Sequence, residues 1–139
     1  MDAWIYPAEK TYRDYMTAAE NPWITPPLLE DLKQKAWAEG LWNLFYPKSH
    51  GGGDALTNLE YAPLAEIMGR VNWAAEVFNC NAPDRGNMET LILYGTDQQE
   101  ERWLKPLLAG EIRSGFAMID PGNPDRHKQQ SDMRQMADK

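Results

Sequence analysis

Two stretches decide the fold class: TNLEYAPLAEIMGR at residues 57–70 and TDQQEERWLKPLLAGE at residues 96–111. Each opens with a threonine that is followed three residues later by Glu60 or Gln99. This is the capping-box pattern, in which each side chain satisfies a backbone N–H of the other residue. In the first stretch Leu64, Ile67 and Met68, with Val71 just after it, recur at i, i+3, i+4 and i+7, the spacing of one helix face. The second stretch is acidic in its first turn, at Asp97, Glu100 and Glu101, as the helix dipole prefers. Both stretches are therefore predicted to be amphipathic helices.

The same patterns extend outward along the chain. A proline or a threonine-proline pair marks the start of a helix, and Asn-Pro or glycine marks its end. We expect residues 1–6 to be frayed, and Pro63 and Pro106 to interrupt the helices that contain them. Further helices are predicted from Pro7 to Asn21, from Thr25 to Gly40, from Trp73 to Cys80, and from Pro83 or Asp84 onward with Met88, Leu91 and Ile92 on the buried face.

Glycines and short apolar runs predict the connections. Gly95 and Gly110 lie where a helix ends in a left-handed residue, which glycine adopts without a Cβ clash. Residues 41–47 form an aromatic run that we interpret as an extended or 3₁₀ connection across the core. Residues 48–54 include three consecutive glycines, which predict a flexible loop; phosphate binding is the alternative, although the Walker pattern is absent.

The predicted fold class is all-α, a bundle of about six helices. It ends where a strand begins, because residues 116–119 form a continuous apolar run between Gly115 and Pro121. Residues 122–139 are polar and are expected to form a loose tail.

Composition excludes several classes of function. A net charge of −7 argues against nucleic-acid binding, which needs clustered basic residues. No apolar run approaches the length of a transmembrane segment, no signal peptide is evident, and we expect an intracellular protein. One cysteine and two histidines leave no internal disulfide and no zinc cluster.

The residues alone support no catalytic constellation. His50 and His127 lie in polar, loop-like sequence, so both are interpreted as surface residues. Cys80 lies among apolar residues and is interpreted as a packing residue, since a reactive thiol needs positive surroundings. The carboxylates are explained by helix starts and polar faces. This chemistry alone indicates a soluble helical domain.

A resemblance extends the interpretation. The runs GLWNLFYP (40–47), EVFNCNAPDRGNME (76–89) and FAMIDP (116–121), together with the two stretches quoted first, resemble the N-terminal helical domain of acyl-CoA dehydrogenases. They are most similar to the subgroup of family members ten and eleven. The resemblance implies that residues 1–111 form this helical domain. It implies that residues 112–139 are a remnant of the middle β-domain followed by a polar tail.

The family's activity is implied with it: FAD-dependent desaturation of acyl-CoA thioesters at the α,β-bond. A glutamate of a C-terminal helical bundle removes the α-proton there, and the flavin accepts the β-hydrogen as hydride. That bundle is absent here, so no catalytic residue is assigned, and FAD binding is expected to be weak or absent. The implied flavin contacts are Phe116, Ala117, Met118, Ile119 and Pro121; the implied acyl-chain contacts are Met88, Leu91, Ile92 and Tyr94.

Two departures from the family pattern affect these assignments. Ile119 stands where the family has a threonine, and it lacks the hydroxyl that would bind flavin. Residues 123–131 resemble a segment further along the β-domain, which suggests that an internal piece has been skipped; a chance match is the alternative. The four acyl-contact residues are explained equally well as core packing.

Two functions therefore remain open. One is an acyl-CoA dehydrogenase by descent, represented by its N-terminal domain and inactive by itself. The other is a non-catalytic helical module that associates with itself or with other acyl-CoA dehydrogenase subunits, since faces that the missing domains cover would be exposed. Acyl-CoA is the implied substrate. The compartment would be cytoplasmic in a bacterium and mitochondrial or peroxisomal in a eukaryote.

Overall fold

A computed structural model of the protein describes residues 1–21, 24–46 and 56–116. This part of the chain is helical, with six helical segments and no strand, so the prediction of an all-α bundle is confirmed. The predicted glycine loop, all of the predicted strand except Phe116, and the tail lie outside the described residues. The segments are α1 (Ile5–Ala18), α2 (Pro27–Ala38), α3 (Asn58–Met68), α4 (Ala74–Val77), α5 (Asp84–Tyr94) and α6, which covers residues 97–108.

The N-terminus is part of the fold, so the prediction of a frayed start is wrong. Helix α1 begins at Ile5, two residues before Pro7, and the carbonyl of Met1 accepts backbone hydrogen bonds from Trp4, Ile5 and Tyr6. The side chain of Ile5 is buried against α2 and α4. Burial of this side chain stabilises the start of α1. The local sequence pattern does not reveal this contact.

Both predicted capping boxes are present. Thr57 Oγ1 accepts from the backbone N–H of Glu60, and the Glu60 carboxylate accepts from the backbone N–H of Thr57 at 2.8 Å. Thr96 and Gln99 make the same reciprocal pair at the start of α6. The starts of α3 and α6 are therefore fixed by contacts within one helical turn.

Helix α6 is one continuous run with a wide turn inside it. Asp97–Gln99 is α-helical, Glu100–Leu104 is a π-helix, and Lys105–Leu108 is α-helical again. The backbone N–H of Lys105 donates to the carbonyl of Glu100, five residues earlier. Pro106 follows immediately; it has no N–H, and its ring would crowd the carbonyl four residues before it in a regular helix. The interruption predicted at Pro106 is thus accommodated as a π-turn.

Two apolar clusters fill the interior, and Phe78 packs against both. The first lies between α1, α2 and α4, where Tyr12 also stacks on Trp73 with ring centroids 4.7 Å apart. The second lies between α3, α5 and α6. The buried members of the first are Ile5, Leu29, Leu32, Ala36, Val71, Trp73, Ala74 and Val77; those of the second are Phe45, Tyr61, Met68, Cys80, Met88, Leu104 and Leu107.

The connection at residues 41–46 is made of bends and turns rather than the predicted extended or 3₁₀ segment. It buries Phe45 in the second cluster and caps the end of α6. The side chains of Trp42 and Asn43 both donate to the carbonyl of Leu108 at 2.8 Å. Asn79 donates to the side-chain oxygen of Asn43 at 2.7 Å and to the carbonyl of Leu107 at 3.0 Å. Carbonyls that a helix end leaves without an intrahelical partner are thereby satisfied by distant side chains.

The two glycines predicted to be left-handed differ. Gly110 has φ of +72°, as predicted, whereas Gly95 is extended with φ of −67° and ψ of 148°. Glycine is still required at position 95, because an added Cβ would lie 2.4 Å from the carbonyl oxygen of Leu91. The correction therefore concerns the reason for the glycine: close approach of backbone, not a positive φ.

Replacing Gly110 with alanine is expected to lower the free energy of unfolding by about 2 kcal/mol. The new Cβ would combine a left-handed backbone with an approach of 2.7 Å to the Trp42 ring. Gly86→Ala is the matched control: it lies in α5 with nothing within 4 Å of its added Cβ, and should raise stability by about 0.5 kcal/mol. Urea denaturation of both variants measures this; equal effects of the two would contradict it.

Candidate functional site

A cleft of about 340 Å³ lies beside α5, between that helix, α6 and the segment that follows α6. Its lining is mostly apolar, with amide, hydroxyl and guanidinium groups toward one side. The lining residues are Asn87, Thr90, Leu91, Trp103, Leu107, Ile112, Arg113 and Ser114. No carboxylate or imidazole is among them. The cleft can therefore hold an apolar or mixed ligand, but its own walls offer no general base.

One side of the cleft is built around Asp84, the first residue of α5. Asp84 is 1% exposed. Asp84 Oδ1 accepts from the backbone N–H of Ser114 at 2.7 Å and from its hydroxyl at 2.6 Å. Asp84 Oδ2 accepts from Arg113 Nε at 2.6 Å. Asn87 Nδ2 donates to Ser114 Oγ at 2.8 Å. We call these four residues the Asp84 cluster.

Charge continues from this cluster across the surface of the bundle. The Arg113 guanidinium also pairs with Glu76 on α4, and Glu76 pairs with Lys33 on α2 at 3.1 Å. The cluster thus connects α5 and the segment after α6 with two further helices. Hydrogen bonds with an ionised partner are stronger than neutral ones, particularly where water is excluded.

The surroundings of Asp84 favour its charged form. Burial acts to raise the pKa of this carboxyl, but the hydrogen bonds from Ser114 and Arg113 and the positive charge of Arg113 outweigh it and lower the pKa below its ordinary value. Asp84 is therefore ionised at neutral pH and serves as an acceptor. It does not behave as a proton donor there.

The structure separates the four residues assigned to the acyl chain. Met88 is 0% exposed in the second apolar cluster, and Leu91 and Ile92 pack partly buried against that cluster. Leu91 also lines the cleft, whereas Tyr94 is 80% exposed at the end of α5. Of the set, only Leu91 combines core packing with an open cleft wall. The position of Met88 favours the packing interpretation that the sequence left open.

Of the five residues assigned to flavin, the structure describes one, Phe116. Phe116 is 66% exposed. Ala117, Met118, Ile119 and Pro121 are outside the described residues, as are His50, His127 and the glycine run. The assignment of these five residues to flavin therefore stays a prediction.

The sequence of the chain is similar to those of known proteins. The family model for the acyl-CoA dehydrogenase N-terminal domain matches residues 8–111, about three quarters of the chain. The chain belongs to the acyl-CoA dehydrogenase family. Mouse acyl-CoA dehydrogenase family member 10 is 54% identical over 123 residues, which cover 84% of this chain and 11% of that protein. FadE2 of Mycobacterium tuberculosis, described as a probable acyl-CoA dehydrogenase, is 52% identical over 119 residues, 84% of this chain and 28% of that protein.

The fold agrees with the sequence comparison. The solved structure of an acyl-CoA dehydrogenase homologue from Mycobacterium abscessus superposes with a TM-score of 0.74 at 52% sequence identity. The superposition covers 86% of this chain and 31% of that one. The chain therefore spans less than a third of the length of these acyl-CoA dehydrogenase relatives. The resemblance inferred from the sequence motifs is confirmed.

Two further titratable groups in the described part of the chain are buried and unreactive near neutral pH. Cys80 is buried, and burial raises the pKa of its thiol, so it is neutral at pH 7 and packs as predicted. Burial, with Cys80 beside it, raises the pKa of Tyr61 to about 12. The Arg85 guanidinium lies over the Tyr61 ring at 5.0 Å. Neither group is available as a nucleophile or base near neutral pH.

Residues 1–21, 24–46 and 56–116 contain no group of three or more metal-ligating side chains. No helix in the same part of the chain is long and apolar enough to cross a membrane.

The Asp84 cluster was missed by sequence reasoning. Asp84 was interpreted only as a helix start, for which an acidic first residue has a sufficient local explanation. Its partners Arg113 and Ser114 are 29 and 30 residues away. The one available indication was that Asp84 and Asn87 share a face at i, i+3 on a helix whose other face is apolar.

Proposed function

We propose that this chain is the N-terminal helical domain of a FAD-dependent acyl-CoA dehydrogenase and that the 139 residues by themselves do not desaturate acyl-CoA. The observation that carries the proposal is the family match over residues 8–111, supported by the TM-score of 0.74 over 86% of the chain. In this proposal residues 1–111 are the helical domain. Residues 112–139 begin the middle β-domain and continue as a polar tail.

The side chains that line the cleft support a role in binding rather than in proton abstraction. Acyl-CoA desaturation needs a base within hydrogen-bond reach of the α-proton, about 3 Å between heavy atoms. The cleft beside α5 offers Asn87, Thr90 and Ser114 as its neutral polar groups, and its one charged group is Arg113, a cation. None of these is a base at neutral pH. The domain is therefore suited to contribute an apolar wall, with Leu91 at its surface, to a site completed by other domains.

FAD, when bound, would supply the acceptor for the hydride that leaves the β-carbon. This chain would contribute Phe116, with Ala117, Met118, Ile119 and Pro121 after it, as one edge of that cofactor site. The exposed ring of Phe116 supports this role. Ile119 offers no hydroxyl, so we infer that the edge is weaker than one with threonine at this position.

We expect the purified chain to be colourless after incubation with FAD and dialysis, and to give no acyl-CoA-dependent reduction of a dye. An intact helical circular dichroism spectrum would show that the colourless protein is folded. A complete, active acyl-CoA dehydrogenase assayed in parallel is the positive control. A retained flavin absorbance band together with dye reduction would overturn the proposal that the chain is inactive alone.

Exposed apolar side chains favour a second candidate function, association without catalysis. Leu59 and Tyr94 are 85% and 80% exposed, and Phe116, Trp4 and Trp37 are also more than half exposed. Large exposed apolar side chains mark surfaces that other proteins cover when they form a contiguous patch. The partners would be a second copy of this chain or other acyl-CoA dehydrogenase subunits. Light scattering across a concentration series tests this candidate, and a monomer at every concentration would exclude self-association.

A further inference from the structure

Side chains of α5 bind the chain that follows α6. Within the described residues, no backbone–backbone hydrogen bond involves residues 112–116, and no helix or strand includes them. Polar backbone groups near the protein interior need partners, and here the partners are side chains. Asp84 accepts from the backbone of Ser114, and Asn87 donates to the carbonyl of Gly115 at 3.3 Å.

Asp84 has the central place in this arrangement because each of its oxygens binds a different residue of the segment. Oδ1 holds Ser114 by two hydrogen bonds, and Oδ2 holds Arg113 by one. Within the described ranges, Asp84 is the only carboxylate that is buried. A buried carboxylate is stable only when its acceptor positions are filled. Loss of the segment from this place would leave Asp84 with one of its four hydrogen bonds, the 3.5 Å contact from Asn81 Nδ2.

The same segment forms one wall of the cleft. Ile112, Arg113 and Ser114 line it together with Asn87 of α5, opposite Trp103 and Leu107 of α6. A shift of residues 112–114 would therefore change the width of the cleft and the position of Phe116. Both effects depend on the hydrogen bonds by which Asp84 holds Arg113 and Ser114.

We propose that Asp84 is a positioning residue, which fixes Arg113 and Ser114 against α5 and so sets one wall of the cleft and the point where the chain leaves the helical domain. Only the further consequence, that it aligns residues 116–121 for flavin, rests on the proposed function. The positioning itself is a property of the described residues and requires no cofactor.

Limited trypsin digestion of the full 139-residue chain tests the proposal. Trypsin must bind the Arg113 side chain in its specificity pocket to cut between Arg113 and Ser114, and that side chain is held by Asp84 and Glu76. Cleavage of a transiently open site follows the population of the open form. Cleavage between Arg102 and Trp103, inside α6, reports opening of the whole domain in the same digest.

The measured quantity is the rate of cleavage after Arg113 divided by the rate of cleavage after Arg102. We expect Asp84→Asn to raise this ratio roughly tenfold or more, because the amide NH₂ cannot accept from Arg113 and the charge-assisted bonds are lost. Ser114→Ala should raise it by about threefold, since one hydroxyl donor to Asp84 is removed. Ser114→Thr keeps the hydroxyl and should return the ratio to near the unmodified value.

The matched control is Glu66→Gln. It removes an exposed carboxylate of α3 that pairs with Arg70, and neither residue belongs to the Asp84 cluster. Its ratio should be that of the unmodified chain. Equal acceleration at both sites in Asp84→Asn and in Ser114→Ala would mean general destabilisation and would overturn the proposal, as would an unchanged ratio in both. If Asp84→Asn does not fold, the comparison of Ser114→Ala with Ser114→Thr decides. Because no flavin is present, failure here is distinct from failure of the proposed function.

Discussion

Replacing Met88 with alanine should lower the free energy of unfolding by about 3 kcal/mol. Met88 is 0% exposed in the cluster that joins α3, α5 and α6, so truncation removes buried methylene groups and leaves a cavity among residues that are already packed. The measurement is the midpoint of urea denaturation at unchanged slope, which reports stability without a change in the surface exposed. Met88→Leu, which nearly conserves volume, should cost less than about 1.5 kcal/mol.

Tyr94→Ala on the same helix is the contrasting variant. Tyr94 is 80% exposed, and its truncation should change stability by less than about 0.5 kcal/mol. Both residues were assigned to the acyl chain by resemblance, yet their environments differ completely. If Met88→Ala cost less than about 1 kcal/mol, Met88 would have to face an open space rather than the core, and the substrate assignment would gain support.

Features set by neighbours in sequence were predictable. The capping boxes of α3 and α6 involve residues three apart, so the sequence contains every group that takes part. The buried face of α2 follows from helical spacing, with Leu29, Leu32 and Ala36 all buried as expected. Local spacing determines these features because one helical turn brings their members together before any tertiary contact forms.

Features set by tertiary contact were not predictable in the same way. The order at Ile5 depends on helices that follow it by more than twenty residues. Gly95 is required by the nearby carbonyl of Leu91, which a sequence pattern cannot distinguish from a left-handed turn. The Asp84 cluster joins residues about thirty positions apart. The site was correspondingly less predictable than the fold, because its geometry depends on which helix ends meet.

The second large effect concerns acid. Above pH 4 the unmodified chain should be more stable than Asp84→Asn by about 2 kcal/mol, the scale of hydrogen bonds to a charged group, because the Arg113 left behind is half exposed and keeps its pair with Glu76. The difference should shrink as the pH falls below 3.8, the ordinary pKa of this carboxyl, because its pKa in the folded chain is lower. Between the two pKa values the unfolded chain binds more protons than the folded chain, so stability decreases with falling pH.

The difference between the two proteins, measured by urea denaturation from pH 6 to pH 2.5, isolates Asp84 from the other carboxyl groups, which titrate in both. The charged groups around it are Arg113, in direct contact, and Glu76 and Lys33 beyond Arg113. Glu66→Gln, which alters an exposed i,i+4 pair, should differ from the unmodified chain by less than about 0.5 kcal/mol across the range. A difference for Asp84→Asn that stays constant down to pH 2.5 would locate its cost in packing and neutral hydrogen bonds. A difference that closes with acid would show that the charge of Asp84 holds Arg113 and Ser114 in place.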